Sequence, residues 1–372
     1  MMMGLVYWQR GLFRETEPLL KEAIETGRQA GNYVVAASSL CLLAYMDIAG
    51  GKLHRAAGQI KQAIELAGPS TVATPSHLSL SSLFYEWNDL ESALYHVQQA
   101  IELAQILGGQ GLLARLYCLL ARISLARDDD AGATKALEKA CLIAHNISDP
   151  GTRAEHATFH IELALRRQDL VTASEWGSQL AEDAGTLPYY CRDTLPRLLI
   201  AQGKKSEAME KLQALYEETM QGGAQSSIIR ILMYQTLVAG TQESALKFLA
   251  NTMAMVEPEG YIRIFVDEGK LLAPLLRKAV AQGIMPGYAG KLLNIIESEK
   301  QRMAVSGEKS NPSPISEREL EVLKLVADGL TNQQIADKLI ISLSTAKSHV
   351  YHIFDKLNAK GRLQAVTRAR EL

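Results

Sequence analysis

The 372-residue chain lacks most of what would commit it to catalysis, metal chemistry or a membrane. Its four cysteines, Cys41, Cys118, Cys141 and Cys191, are far apart, with no CxxC and no histidine at ligand spacing. Neither a disulfide framework nor a zinc site is expected from them; reduced thiols packed in a core are. No run reaches the ~18 apolar residues of a membrane helix. The opening MMMGLVYWQR is uncharged before its last residue and has no small-residue cleavage pattern, so no signal peptide is read and a cytoplasmic location is expected. GxSxG, HExxH and a Cys–His pairing for hydrolysis are all missing, as is the phosphate loop G-x-x-x-x-G-K-[ST]. The nearest imitation of that loop, SGEKS at Ser306–Ser310, lacks the first Gly and the Gly-Lys pair and follows no strand. Glu297, Glu299 and the run Asp128–Asp130 read as charged helix ends or turns. No catalytic residue, metal ligand or cofactor is therefore assigned, and no enzyme is expected.

Charge of one sign is also scarce overall, since 39 Lys+Arg face 41 Asp+Glu. Its distribution is more telling. Residues 1–300 hold 28 basic and 33 acidic side chains, whereas 301–372 hold 11 and 8, so a modestly basic tail follows a mildly acidic body. With 47% hydrophobic and 22% charged residues, the composition is that of a soluble globular protein.

The body repeats itself. GLFRETEPLLKEAI, GKLHRAAGQIKQAI, NDLESALYHVQQAI, DDDAGATKALEKAC, QDLVTASEWGSQLA, GKKSEAMEKLQAL and GTQESALKFLA each open on a turn-prone or polar residue. The openers Gly11, Gly51, Asn88, Asp128, Gln168, Gly203 and Gly240 recur 35 to 40 residues apart. Five positions after each stands a small residue: Thr16, Ala56, Ala93, Ala133, Ala173, Ala208 and Ala245. A left-handed opener ends one helix and a small residue lets the next helix approach its neighbour closely. Another apolar helix precedes each opener, as in GLLARLYCLLARISLA. No such unit buries its own apolar face, so residues 1–300 are expected to stack as an all-α solenoid. The pattern resembles tetratricopeptide repeats. Residue 1 falls inside a repeat with no polar capping unit ahead of it, which implies that further chain or a partner covers that end. YIRIFVDEG has a strand-like composition, but helix is expected, because a lone strand would leave its backbone groups unpaired. Tyr85, Trp87, Tyr117, Phe159 and Trp176 are candidates for the concave face or for packing between repeats.

Residues 301–314, rich in Ser, Pro and Gly, are expected to form a flexible linker to a four-helix domain over 315–372. Ser316 and Glu319 make a capping box, with Leu320, Leu323 and Val326–Ala327 as an inner face and Gly329 as the C-terminal cap. Thr331 and Gln334 open the next helix, whose buried edge is Ile335 and Leu339. Ser342 or Ser344 starts a third, on which Ala346, Val350, Ile353 and Leu357 share one apolar side. Opposite lie Lys347, Ser348 and Tyr351. Two helices joined by a tight turn, the second with a polar outer face, make a helix-turn-helix.

The stretch SERELEVLKLVADGLTNQQIADKLIISLSTAKSHVYHIFDKLNAKGRLQAV, Ser316–Val366, resembles the LuxR-type DNA-binding domain. Departures are Ala346 where Val is usual and Leu343-Ser344 where Glu-Gly is common. The resemblance implies double-stranded DNA as partner, with base contacts from Lys347, Ser348 and Tyr351. Lys347 suits guanine O6 and N7, Ser348 either a donor or an acceptor, and Tyr351 a thymine methyl or a phosphate. Lys338, Ser344, Thr345, His349, Lys356 and Arg362 are then placed for phosphates. His349 is equally well explained by packing, and Lys356, Lys360 and Arg362 by a solvated helix end. The same resemblance implies a dimer on DNA, with contacts around Gln364–Ala369.

A degenerate solenoid before such a tail, with EGYIRIFVDEG ahead of it, resembles the large ATP-dependent MalT-like LuxR regulators. In that group an ATPase precedes the solenoid, which senses an inducer or a partner protein. The missing phosphate loop marks this chain as the C-terminal half of such a protein or a truncated product, so ATP dependence is not carried over. A transcription regulator with a sensing solenoid is the expected function. The competing expectation is an interaction scaffold whose DNA-binding tail does not drive transcription.

Overall fold

In the computed structural model, residues 13–144, 149–182, 187–188, 191–222, 224–308, 317–339, 350, 353, 364 and 368 are described. The chain divides into two compact units, Met1–Ser298 and Glu299–Leu372. Among the described residues every regular element is a helix, as the sequence implied.

The first unit is a run of antiparallel helix pairs. After α1 (Phe13–Gln29) come α2 (Tyr33–Ala49) with α3 (Leu53–Ala67), α4 (Thr74–Glu86) with α5 (Leu90–Leu107) and α6 (Gln110–Ala126) with α7 (Asp130–Ala144). They are followed by α8 (Pro150–Arg166) with α9 (Leu170–Glu182), α10 (Thr194–Ala201) with α11 (Lys205–Gly222) and α12 (Gln225–Val238) with α13 (Gln242–Val256). The short α14 (Arg263–Val266), α15 (Gly269–Ala281) and α16 (Pro286–Glu308) complete the series. YIRIFVDEG is thus helical where it is regular at all. Helix α16 runs through Glu308, so residues 301–308, expected to begin a linker, are helical.

The turn inside five of the six pairs is built the same way. Gly51, Asn88, Asp128, Gln168 and Gly203 all have φ between 61° and 79°. The residue after each donates its N–H to the carbonyl five positions back: Lys52 to Asp47 (2.8 Å), Asp89 to Phe84 (2.9 Å), Asp129 to Ser124 (2.9 Å), Asp169 to Ala164 (2.9 Å) and Lys204 to Leu199 (3.0 Å). This is the Schellman closure, and it satisfies carbonyls that the helix end would otherwise leave open. Three of the five then cap the second helix with the following aspartate: Asp89 accepts from Ser92 N–H, Asp129 from Gly132 and Asp169 from Thr172. Each such cap satisfies an N–H that the first turn of the helix would otherwise leave open. Gly240 differs: it is not left-handed, and Thr241 opens α13 with a reciprocal capping box to Ser244. Gly11 lies outside the described residues.

The seven small residues five places on are all buried, none more than 5% exposed. They sit where the second helix of a pair crosses its neighbours, and a larger side chain there would push the helices apart.

The last helices return to the first ones. One apolar core takes Ala44, Leu53, Ile60, Leu80 and Leu83 from α2–α4 and Leu249, Met253, Phe265, Leu272 and Leu292 from α13–α16. Polar contacts seal the same junction. Ile262 N–H donates to Glu86 O (2.9 Å), Trp87 Nε1 to Glu259 O (2.8 Å) and His54 N–H to Glu259 Oε2 (3.0 Å). The second half of the unit therefore covers an apolar edge that its first helices would otherwise expose.

Ala93→Leu is expected to destabilise the chain by about 1–3 kcal/mol, read as a lower urea midpoint. An unchanged midpoint would show that this crossing has room to spare and that the small residue is not what sets helix approach.

Candidate functional site

The second unit contains the end of α16, α17 (Glu317–Ala327) and α18 (Asn332–Leu339). Its core is Val322, Leu323, Leu325 and Val326 from α17, Ile335 and Ala336 from α18, and Val350 and Ile353 from the apolar stripe beyond. The inner face of α17 is rotated from the expected one. Leu323 and Val326 are buried, but Leu320 is 46% exposed and Ala327 is exposed, their places taken by Val322 and Leu325. On α18, Ile335 is buried and Leu339 partly buried, as expected. Gly329 is left-handed at φ 82°, ending α17. Thr331 and Gln334 form the expected capping box: Thr331 N–H donates to Gln334 Oε1 (2.8 Å) and Gln334 N–H to Thr331 Oγ1 (3.3 Å). Lys338 is exposed in the last turn of α18. Ser344, Thr345, Lys347, Ser348, His349, Tyr351, Lys356 and Arg362 lie outside the described residues, as do Ser316, Ala346 and Leu357. Gln364 is exposed and Arg368 partly so.

The first unit encloses a cavity of about 560 Å³. The first helix of each pair from α2 to α12 lines it, together with the segment around α14. Of the aromatic candidates, Tyr85 and Phe159 reach the cavity. Tyr117 is buried in the core between α5 and α6, and Trp176 packs on histidines of α8.

Charged side chains interrupt a wall otherwise built of residues such as Leu42, Ile48, Leu119, Phe159 and Met233. Asp267 Oδ2 accepts from Tyr85 OH (2.8 Å) and its Oδ1 from Arg263 Nε (3.0 Å). Arg166 Nη1 lies 3.3 Å from Oδ1 and Arg122 Nη2 3.7 Å from Oδ2. Burial opposes the Asp267 charge, but the Arg263, Arg166 and Arg122 guanidiniums outweigh it and hold the carboxyl down at about 2. Arg263 is wholly buried, with Nη1 donating to Asn88 Oδ1 (3.0 Å), the side chain of a left-handed turn residue. Arg122 and Arg263 also lie over the Tyr85 ring, 4.7 and 5.2 Å from its centroid. Farther round, Arg197 Nη2 donates to Glu268 Oε2 (2.6 Å), and Arg230 Nε lies 2.8 Å from Asp193 Oδ2. Burial raises the carboxyls of both Glu268 and Asp193 against these arginines. Glu86, which accepts Ile264 N–H at 2.9 Å, is pushed up to about 7 by burial.

A second polar cluster joins α7 to α8. Cys141 Sγ lies 3.2 Å from His160 Nε2, which is 3.2 Å from His156 Nε2. The His160 ring stacks on Trp176 of α9 at 4.1 Å between centroids. Burial lowers both imidazole pKa values, that of His160 to about 3 with help from His156. No histidine at ligand spacing and no Cys–His pairing is expected from the sequence, yet the fold sets Cys141 beside His160 and His160 beside His156. His156 and His160 stand four apart on one helix face, which was legible, whereas Cys141 comes from the preceding helix, which was not.

The cavity charges were missed for a related reason. Arg115 pairs with Glu155 (3.3 Å) and Arg122 with Glu162 (3.7 Å), each one repeat apart in the sequence. Such pairs leave no local motif, and their signal is the repeat interval itself.

Glu86 gives the cavity a measurable pH response. Its carboxyl is neutral in both states below its ordinary value of 4.5, and folding holds it neutral up to about 7. The stability this contributes is lost as pH rises through 7, because the folded interior must then accept the charge. Glu86→Gln, whose amide oxygen still accepts Ile264 N–H, is expected to melt higher than the parent chain at pH 8, with the gap closing by pH 5. A gap that is constant or reversed would show that the Glu86 carboxyl ionises freely.

Comparison with known proteins follows the same division. Residues 1–282 match the family described as MalT-like TPR region, and residues 313–369 match bacterial regulatory proteins, luxR family. Relatives named HTH-type transcriptional regulator MalT, from Yersinia pestis (strain Pestoides F) and Yersinia pseudotuberculosis serotype O:1b, are 25% identical across 99% of this chain. One of the same name from Serratia proteamaculans (strain 568) is 24% identical over the same share. The chain spans 44% of the length of these curated relatives. With most of its length matched to the first family and its carboxyl end to the second, the chain belongs to the MalT-like TPR family and carries a luxR-family regulatory domain.

Proposed function

We propose that this chain forms the sensing and DNA-reading parts of a transcriptional regulator that works in the cytoplasm. The luxR-family match over residues 313–369 carries this reading. The core of Val322, Leu323, Ile335, Val350 and Ile353 supports it, since it suits a helix-turn-helix whose polar face is turned outward. Lys347, Ser348 and Tyr351 are proposed to meet base edges in the major groove, and Lys338, Ser344, Thr345, His349, Lys356 and Arg362 the phosphates. One such unit reads few base pairs, so two copies on a two-fold site are proposed, joined near Gln364 and Arg368.

The cavity of the first unit is the proposed sensor. Its volume suits a small polar inducer, and its wall offers groups still able to bond one. Arg197 Nη1 and Tyr261 OH are buried there without a hydrogen-bond partner. An inducer that satisfies them would remove the cost of leaving them unmet, about 1–3 kcal/mol each. Among the described residues no helix is long and apolar enough to cross a membrane.

The test is binding of the full chain to DNA from its own upstream region and to scrambled DNA, by fluorescence anisotropy at fixed salt. Lys347→Ala is expected to lose about 1–3 kcal/mol on the specific site and little on the scrambled one. Equal loss on both would reassign Lys347 to the backbone. Equal affinity of the parent chain for every sequence would sink the regulator reading and leave an interaction scaffold with a non-specific tail.

A further inference from the structure

We propose that Cys141, His156 and His160 form a binding site for a zinc-type divalent cation, one thiolate sulfur and two imidazole nitrogens with a fourth position open to a side cavity. The three ligand atoms all lie within 4.8 Å of one another. Among the described residues this is the one trio of His, Cys, Asp or Glu so gathered. Tetrahedral zinc, with bonds of about 2.0–2.1 Å to nitrogen and 2.3 Å to sulfur, sets its ligands about 3.3–3.6 Å apart. The Cys141–His160 and His160–His156 separations of 3.2 Å need only a few tenths of an ångström of adjustment.

Hydrogen bonding alone does not account for the trio. His160 Nε2 carries either one proton or one lone pair, yet two partners stand 3.2 Å from it, a sulfur and another ring nitrogen. It can serve one of them at a time. A cation placed between the three atoms takes a lone pair from each. The ligand types point the same way, since two imidazoles and a thiolate favour zinc over magnesium or calcium.

The scaffold is firm on three sides. His156 and His160 are buried on one face of α8, Cys141 sits near the end of α7, and Trp176 of α9 stacks against the His160 ring. The fourth side opens on a cavity of about 310 Å³ lined by Cys141, Thr152, Arg153, His156, Trp176 and Gln179 among others. That geometry leaves room for a water or an exogenous ligand, as in zinc sites with three protein ligands. Arg153 is a like charge for the incoming cation, offset by the thiolate, because a coordinating thiol gives up its proton on binding. The bound ion would clip α7 to α8 within the solenoid.

Cobalt(II) is the probe. The full chain, reduced and free of oxygen, is titrated with Co²⁺ while the near-ultraviolet thiolate-to-cobalt charge-transfer band and Trp176 fluorescence are followed. A saturable band at about one equivalent per chain is expected, abolished by added Zn²⁺, together with quenched fluorescence and a melting temperature raised by about 2–4 °C with Zn²⁺. Cys141→Ser, a near-isosteric change at a partly exposed position, should remove the band with the far-ultraviolet dichroism unchanged. His156→Gln should weaken binding, and Cys191→Ser should leave the band intact. No thiolate band at stoichiometric cobalt, or a band that survives in Cys141→Ser, would overturn the proposal.

Discussion

Everything in the first unit depends on how a stack of helix pairs deals with its own curvature. Here the late helices fold back on the early ones, and Asp267 is the polar centre of that closure. It gathers Arg122 from α6, Arg166 from α8, Arg263 from α14 and Tyr85 from α4. A lone carboxylate in this interior would be costly; three guanidiniums and a hydroxyl lower its pKa to about 2, so it is ionised at neutral pH. Apolar burial in the shared core supplies the bulk of the attraction, and the charge cluster ties α4, α6, α8 and α14 to one carboxylate.

The same construction explains how paired charges come to stand in a wall that is otherwise largely apolar. The first helices of the pairs turn their inner faces to a common space, and on α6 and α8 the arginines and their acids stand one repeat apart. A ligand that takes over one guanidinium releases the acid it held, and the closure at Asp267 and Glu268 is within reach of that change. This gives the proposed sensor a physical means of reporting occupancy through the α13–α15 segment.

Much of this was legible in the sequence because repeats write their geometry locally. The openers Asn88, Asp128 and Gln168 are left-handed although none is glycine, and the small residue five places on is buried in every repeat. Both follow from backbone sterics within a few residues. Gly240 broke the rule because Thr241 and Ser244 close that turn by side chains instead. On α17, Val322 and Leu325 fill the core in place of Leu320 and Ala327, a rotation that short apolar runs do not fix. The cavity charges, and the place of Cys141 beside His156 and His160, were hidden for one reason: the partners come from different helices, and only stacking brings them together. Lys347 and its neighbours remain an inference from resemblance.

Hydrogen exchange in the Asp267→Asn chain tests the closure most directly. If the account holds, protection falls together in α2–α4 and α13–α15, while α6–α8 keep theirs, because the junction loosens and the stacked pairs persist. Equal protection in parent and variant, or a loss spread evenly over every helix, would contradict it.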